Sequence, residues 1–222
     1  MTSSPSRPLS EQLAEFRAQA ASRSSPERRA TMEGATAELK ASGIEADALR
    51  VGDPAPAIAL PDAVGRSTEL AALWRAGPMV VVFYRGGWCP YCNLALRAWQ
   101  ARLPELQRLR ASLVAISPQT PDGSMSTAEK HALAFPVLSD SALEAAQAFR
   151  IAFEMPPALV ELYRAAGNDL AVINGNGRWV LPLPATYVID REGVIAYAHI
   201  EADYRERAEP DQVLAAVAAV AG

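Results

Sequence analysis

The stretch Trp88-Cys89-Pro90-Tyr91-Cys92 constrains the fold more than any other part of the chain. It comes directly after the apolar run Met79-Val80-Val81-Val82-Phe83-Tyr84 and holds the only two cysteines of 222 residues. A buried strand that delivers a C-x-x-C to the start of a helix is the layout of thiol–disulfide chemistry. Pro90 suits the first helical position, where no backbone N–H is needed, which predicts Cys89 at the N-cap. Cys92 then falls in the first turn. Unpaired backbone N–H groups and the positive end of the helix dipole favour a thiolate there. The spacing also lets the two sulfurs reach disulfide distance with little backbone movement.

Two other uses of the pair are weighed against this. A zinc site needs about four ligands. Beyond the cysteines the chain offers His131 and His199, and neither lies at a finger-like spacing; such a site would have to be shared across a dimer. A static structural disulfide closing so short a loop would constrain little unfolded-chain entropy, and a chain of this length can stabilise itself by burial. No metal and no cofactor is expected.

Composition narrows the setting. The net charge is −4 and the basic residues are scattered, with no Lys/Arg run interleaved with aromatics, so nucleic acid is not an expected partner. Arginine greatly outnumbers lysine, which is present only as Lys40 and Lys130. No apolar h-region follows the polar N-terminus, and no apolar stretch approaches the roughly 20 residues of a membrane span. A cytoplasmic location is expected, where a C-x-x-C is more often catalytic than structural.

Residues 1–50 read as a helical extension and residues 51–222 as an α/β redox domain. Ser10 is expected to cap a first helix with Leu13, Phe16 and Ala20 on one face. Ser25-Pro26-Glu27 opens a second helix, with Met32, Ala35 and Leu39 on its apolar side, that Gly43 can end. The pair should lie as a hairpin on the main domain or on a second subunit; in the latter case a homodimer follows. Pro54 to Leu60 is an extended lead-in to a turn near Gly65. Met79–Tyr84 and Leu113–Ser117 are near-continuous apolar runs, as parallel strands buried on both faces should be. The helix after the dithiol carries Leu94, Leu96, Trp99, Leu103 and Leu106, and Pro104 is expected to kink or split it. Phe135–Asp140 gives a short strand and then a cap for a helix through Leu143, Ala146 and Phe149. Another helix is expected in Pro157–Gly167. Asn174-Gly175-Asn176-Gly177 is expected to join Leu170–Ile173 to Arg178–Leu181 as a β-hairpin. A second hairpin joins Thr186–Asp190 to Val194–Tyr197, and Asp211–Val220 closes the chain as a helix. This order of elements resembles the thioredoxin fold, with a central mixed β-sheet flanked by helices.

Four stretches in order carry a family resemblance: Phe83 to Cys92, Val114-Ala115-Ile116-Ser117, Phe135 to Asp140, and Pro184-Ala185-Thr186-Tyr187-Val188-Ile189-Asp190. Together they resemble the peroxiredoxin-like branch of the alkyl hydroperoxide reductase/thiol-specific antioxidant (AhpC/TSA) family, from about Val51 to the C-terminus. In the register of the family's Pro-x-x-x-Thr-x-x-Cys, Cys92 is the peroxide-attacking position, Cys89 stands at the Thr and Arg85 at the Pro. The family's activating Arg falls on Pro184. In the thioredoxin register, Cys89 is instead the exposed nucleophile, Cys92 resolves it, and Pro184 resembles the cis-proline that faces the dithiol. Thr186 would support that turn. The Pro90-Tyr91 dipeptide is also the one found in glutaredoxins.

The resemblance implies a thiol peroxidase. Cys92 would reduce hydrogen peroxide or an organic hydroperoxide and become a sulfenic acid. Cys89 would condense with it, and thioredoxin or a glutathione-type thiol would reduce the disulfide. Arg85 or Arg97 would supply the missing positive charge, Arg85 being the better placed. The competing expectation is a thiol–disulfide oxidoreductase using Cys89 first, with Trp88 and the Pro184 loop as docking surface. A third is a redox- or metal-sensing module without turnover. Tyr84 and Trp88 are expected to shield the dithiol, and Tyr91 to be exposed and to tune access. Ser117 is expected to serve a turn, and neither histidine to take part in catalysis.

Overall fold

The computed structural model describes residues 7–222. Two long helices come first, α1 (Leu9–Arg23) and α2 (Pro26–Ala41), with a short α3 (Ile44–Asp47) behind them. A small hairpin of β1 (Ala59–Pro61) and β2 (Ser67–Glu69) leads through α4 (Leu70–Ala76) to β3 (Met79–Phe83). After α5 (Pro90–Arg108) come β4 (Ser112–Ser117), α6 (Pro121–Lys130), β5 (Val137–Ser139) and α7 (Glu144–Ala148). Then follow β6 (Ala152–Glu154), α8 (Pro157–Ala165), α9 (Leu170–Ile173) and β7 (Val180–Pro182). The chain ends with β8 (Ala185–Ile189), β9 (Ile195–Ile200) and α10 (Pro210–Val220).

The central sheet has the order β5-β4-β3-β8-β9. β3, β4 and β5 run parallel, and β8 and β9 are antiparallel to their neighbours, so the sheet is mixed. β3 lies in the middle and all five of its residues are buried, which is why its sequence is apolar throughout and does not alternate. Its side chains still divide between the two faces. Met79, Val81 and Phe83 pack with Tyr187, Ile189, Phe149 and Trp74. Val80, Val82 and Tyr84 pack on the other side with Leu96 and Trp99 of α5 and with Val213 and Val217 of α10. This second face carries the dithiol.

The N-terminal helices lie on their own chain. Leu9 and Leu13 of α1 enter the α5 side of the core, and Met32 and Ala35 of α2 pack against a third cluster around Leu159 and Tyr163. A homodimer would therefore have to use a surface other than these apolar faces. Ser25 caps α2 as expected, accepting from the Arg28 N–H, and Gly43 takes the left-handed conformation beyond its end. Ser10 does not cap α1. It lies inside the helix, and the carboxylate of Glu209 accepts from the Leu9 and Ser10 N–H groups at 2.9 and 3.0 Å.

Three other expectations are corrected. Pro104 does not split α5, which continues to Arg108; Leu103 and Leu106 on either side of it are buried in the core. Leu170–Ile173 is a short helix and not a strand, so the Asn174–Gly177 turn joins no hairpin. β7 pairs instead with β6, in the register Phe153↔Leu181. Pro184 is not a cis-proline, since every described peptide bond is trans. The link from β7 to β8 is only Leu183-Pro184 and stays extended. The Leu183 N–H donates to Ile151 O at 2.8 Å, and Pro184 O accepts from the Glu201 N–H at 3.1 Å. No described helix is long and apolar enough to cross a membrane.

Candidate active site

β3 delivers the chain to the site, and a tight turn redirects it into α5. Gly86 has φ +141°, and a Cβ there would sit 2.4 Å from Trp88 Nε1; at Gly87 a Cβ would meet Thr127 Oγ1 at the same distance. Glycine is therefore required twice, once for conformation and twice for space. The turn is tied down by the Gly87 N–H donating to Gln119 Oε1 at 2.6 Å and by Asn93 Nδ2 donating to Gly87 O at 2.8 Å. Cys89 is the N-cap of α5 and Pro90 its first residue, as the sequence implies.

Both thiols are buried and free, Cys89 at 2% exposure and Cys92 at 0%. Their environments differ. Cys92 Sγ accepts from Arg207 Nη2 at 2.9 Å and from the Arg85 backbone N–H at 3.4 Å. Burial by itself would raise the Cys92 pKa. The hydrogen bond from Cys89, the Arg207 and Arg85 charges and the Arg85 N–H outweigh it and hold the thiol well below its ordinary value. Cys89 goes the opposite way. Burial, its hydrogen bond to Cys92 and the charge of that neighbour raise it well above the ordinary thiol value, against the two arginines. One thiolate, on Cys92, is what this pair favours.

Arg85 has its guanidinium caged by three rings, with Cζ 4.7 Å from the Tyr204 centroid, 5.0 Å from Trp88 and 5.6 Å from Tyr163. One Nη donates to the Tyr163 hydroxyl. Its Nε and the other Nη are buried without a partner among the described residues. Trp88 packs edge-on against Tyr163 at 5.3 Å. Tyr91 is not exposed as expected. It is buried because Phe16 of α1 and Tyr204 both stand edge-on to its ring, at 5.0 and 5.6 Å.

The remaining sequence candidates lie apart. Pro184 lines a cavity of about 210 Å³ together with Arg85 and Tyr204, and neither cysteine lines it. Thr186 is buried in β8 between Val82 and His199 in the ladder. Arg97 is exposed on α5. Ser117 holds the turn after β4, its hydroxyl accepting from the Gln119 N–H at 3.4 Å.

Arg207, Tyr204 and Tyr163 were not singled out from the sequence. Arg207 reaches Cys92 and the two tyrosines reach Arg85 from distant segments; 115 residues separate Arg207 from Cys92. A surplus of arginine over lysine was visible, but nothing local marks which arginine turns inward.

The chain is similar to several known proteins. Proteins from two strains of Mycobacterium tuberculosis that carry a peroxiredoxin name are 34% identical over 92 residues, 41% of this chain. The match spans 58% of the length of those relatives. Among solved structures, the peroxidoxin BcpB of M. tuberculosis superposes with a TM-score of 0.61 at 23% identity, covering 78% of this chain and 98% of its own. Peroxiredoxin Q of Xanthomonas campestris gives 0.56 at 23% identity, over 74% and 92%. These likenesses fix the thioredoxin-type, peroxiredoxin-like fold. The AhpC/TSA sequence profile matches residues 51–198, the span that holds both cysteines and the central sheet up to Ala198 in β9, and the chain thus belongs to the AhpC/TSA family.

Proposed function

We propose that the chain is a thiol peroxidase in which Cys92 is the attacking residue and Cys89 resolves it. The observation that carries this is the Arg207 hydrogen bond to Cys92 Sγ at 2.9 Å. It puts a guanidinium on the family's peroxide-attacking position although the family's usual arginine position is Pro184 here. The Cys92 thiolate attacks one peroxide oxygen and the O–O bond breaks. The second oxygen leaves as an alcohol or water after taking a proton, and Cys92 becomes a sulfenic acid. The Cys89 thiol then attacks that sulfur, water leaves, and Cys89–Cys92 forms. Arg207 and Arg85 hold the thiolate before the step and offset charge on the departing oxygen during it. An external thiol, from thioredoxin or a glutathione-type donor, returns the disulfide to the dithiol. The cycle needs a reducing compartment, so a cytoplasmic location belongs to this proposal.

One observation favours a second reading. Cys89, and not Cys92, lines the groove at the protein surface, as the nucleophile of a thiol–disulfide oxidoreductase would. Its raised pKa speaks against that role, because the attacking thiol must be a thiolate. Stopped-flow tryptophan fluorescence of the reduced protein with hydrogen peroxide separates the two, since Trp88 adjoins the dithiol. Fast oxidation that persists in Cys89→Ser and vanishes in Cys92→Ser is expected. Oxidation no faster than that of a free thiol, with rapid Cys89-dependent exchange against a disulfide, would replace the peroxidase by the oxidoreductase.

A further inference from the structure

The hairpin of α1 and α2 does not simply cover the site. It leaves a groove of about 730 Å³ against the start of α5, with Cys89 in its wall and Cys92 outside it. The protein as a whole is acidic, at −4, yet this groove is lined by Arg17, Arg23, Arg28, Arg29, Arg85 and Arg205 against one acid, Glu33. Arg17 is paired with Glu206, and Arg205 with Asp203. Arg23 and Arg28 make no ion pair among the described residues, and Arg85, 3% exposed, keeps Nε and one Nη unpartnered. A buried guanidinium with unused donors at the wall of a basic groove is a site for an anion.

We infer that this groove admits the reductant, and that the reductant is a small carboxylate-bearing thiol of the glutathione type and not a thioredoxin-fold protein. The inference rests on the peroxidase cycle proposed above for the origin of the disulfide. The groove lies within the range of small-molecule sites. A protein reductant would have to lay its own active-site surface on Cys89, where α1 is in place and Phe16 is packed against Tyr91 beside the cysteine. The chemistry fits the positions. The incoming thiolate attacks Sγ of Cys89, the cysteine that lines the groove, and the S–S bond breaks with its electron pair going to Cys92. Cys92 is the better leaving group because Arg207 and the Arg85 N–H receive its charge. A second thiolate then attacks the mixed disulfide on Cys89 and releases the oxidised dimer of the reductant. Cys89 leaves as a thiolate and takes a proton, so two thiols are consumed per disulfide reduced.

The test starts from the Cys89–Cys92 disulfide made with diamide, so no peroxide step enters. Its reduction is followed with glutathione, 2-mercaptoethanol, cysteamine and reduced thioredoxin, each rate being expressed per thiolate. Glutathione is expected to exceed the cationic cysteamine on the order of tenfold or more at low salt. That ratio should shrink at high salt and in Arg23→Ser/Arg28→Ser, and acid-quenched samples should carry glutathione on Cys89. Equal rates for the three small thiols, glutathione found on Cys92, or reduced thioredoxin outrunning glutathione would each overturn the inference. Failure of peroxide to oxidise the dithiol would remove the peroxidase and leave this result standing.

Discussion

The turn from Gly86 to Cys92 and the segment from Ala202 to Glu209 meet at the same two sulfurs, yet they are built on opposite principles. The turn is local. Its glycines, its proline and its N-cap cysteine are fixed by neighbours within a few residues, and the Cys89 N–H donates to Gly86 O at 3.0 Å. The second segment is placed by the tertiary fold alone. It leaves β9, crosses the mouth of the site and enters α10, and on the way it sets Tyr204 on Arg85, Arg207 on Cys92 and Glu209 on α1. The turn puts the thiols in position and bonds one to the other, and the distant segment adds the Arg207 guanidinium to Cys92.

Arg207→Met is the strongest way to break that division. It removes a charge-assisted hydrogen bond from a buried thiolate, and a fall on the order of a hundredfold in the rate of peroxide oxidation is expected. The thiolate absorbance near 240 nm checks the cause. Because the folded-state pKa of Cys92 is depressed, its thiolate persists at pH values where a free thiol is protonated and disappears as the pH falls through the lowered value. The stabilisation this gives is present above the ordinary thiol pKa and is lost on acidification through the depressed one. In Arg207→Met the absorbance transition should move up toward the ordinary thiol range; an unmoved transition would leave the turn alone responsible for Cys92.

Gly86→Ala attacks the local half. The added Cβ meets the Trp88 indole in a backbone conformation that L-residues avoid, and a loss of about 1–3 kcal/mol in unfolding free energy is expected from denaturant melts. A cost under about half a kilocalorie would show that the turn is softer than its contacts imply. Tyr163→Phe sharpens the comparison more gently. It takes the hydroxyl from the Arg85 guanidinium, already short of partners, and should cost about 1–2 kcal/mol and several-fold in oxidation rate, with Cys92 still a thiolate. Glu209→Ala has the smallest expected effect, about 1 kcal/mol, read as faster amide exchange at Leu9 and Ser10 with none at Val81. Equal acceleration at both would make α1 part of the global core and not an attached roof.

Legibility from sequence follows the same division. β3 and β8 are fully buried, β4 is buried beyond Ser112, and all three are largely apolar with turn signals around them, readable because burial on both faces leaves little other composition. The N-cap at Cys89 was readable because proline at the next position has few other places to be. Leu170–Ile173 was misread because four apolar residues are too few to reveal a period, and the strand that pairs with β7 lies beyond α8 and α9. Tyr91 was misplaced because its cover comes from Phe16 and Tyr204, far away on both sides in sequence. Ser10 looked like a cap because its type suits one, while the acceptor that serves α1 is 200 residues away.

That last contact sets an order of events during synthesis. The first helix of the chain waits for Glu209 to be capped, and Cys92 waits for Arg207 to be charged. Translation proceeds at roughly 5–20 residues per second, so the 115 residues between Cys92 and Arg207 take on the order of ten seconds. Through that interval the nascent dithiol has neither its arginine nor a settled roof, and its cysteines react as ordinary thiols. Ribosome-bound chains stopped before residue 207 should be alkylated at Cys89 and Cys92 alike, whereas released chains should discriminate between them. On the proposed mechanism, Cys92 gains its reactivity toward peroxide only once the segment that carries Arg207 has folded onto it.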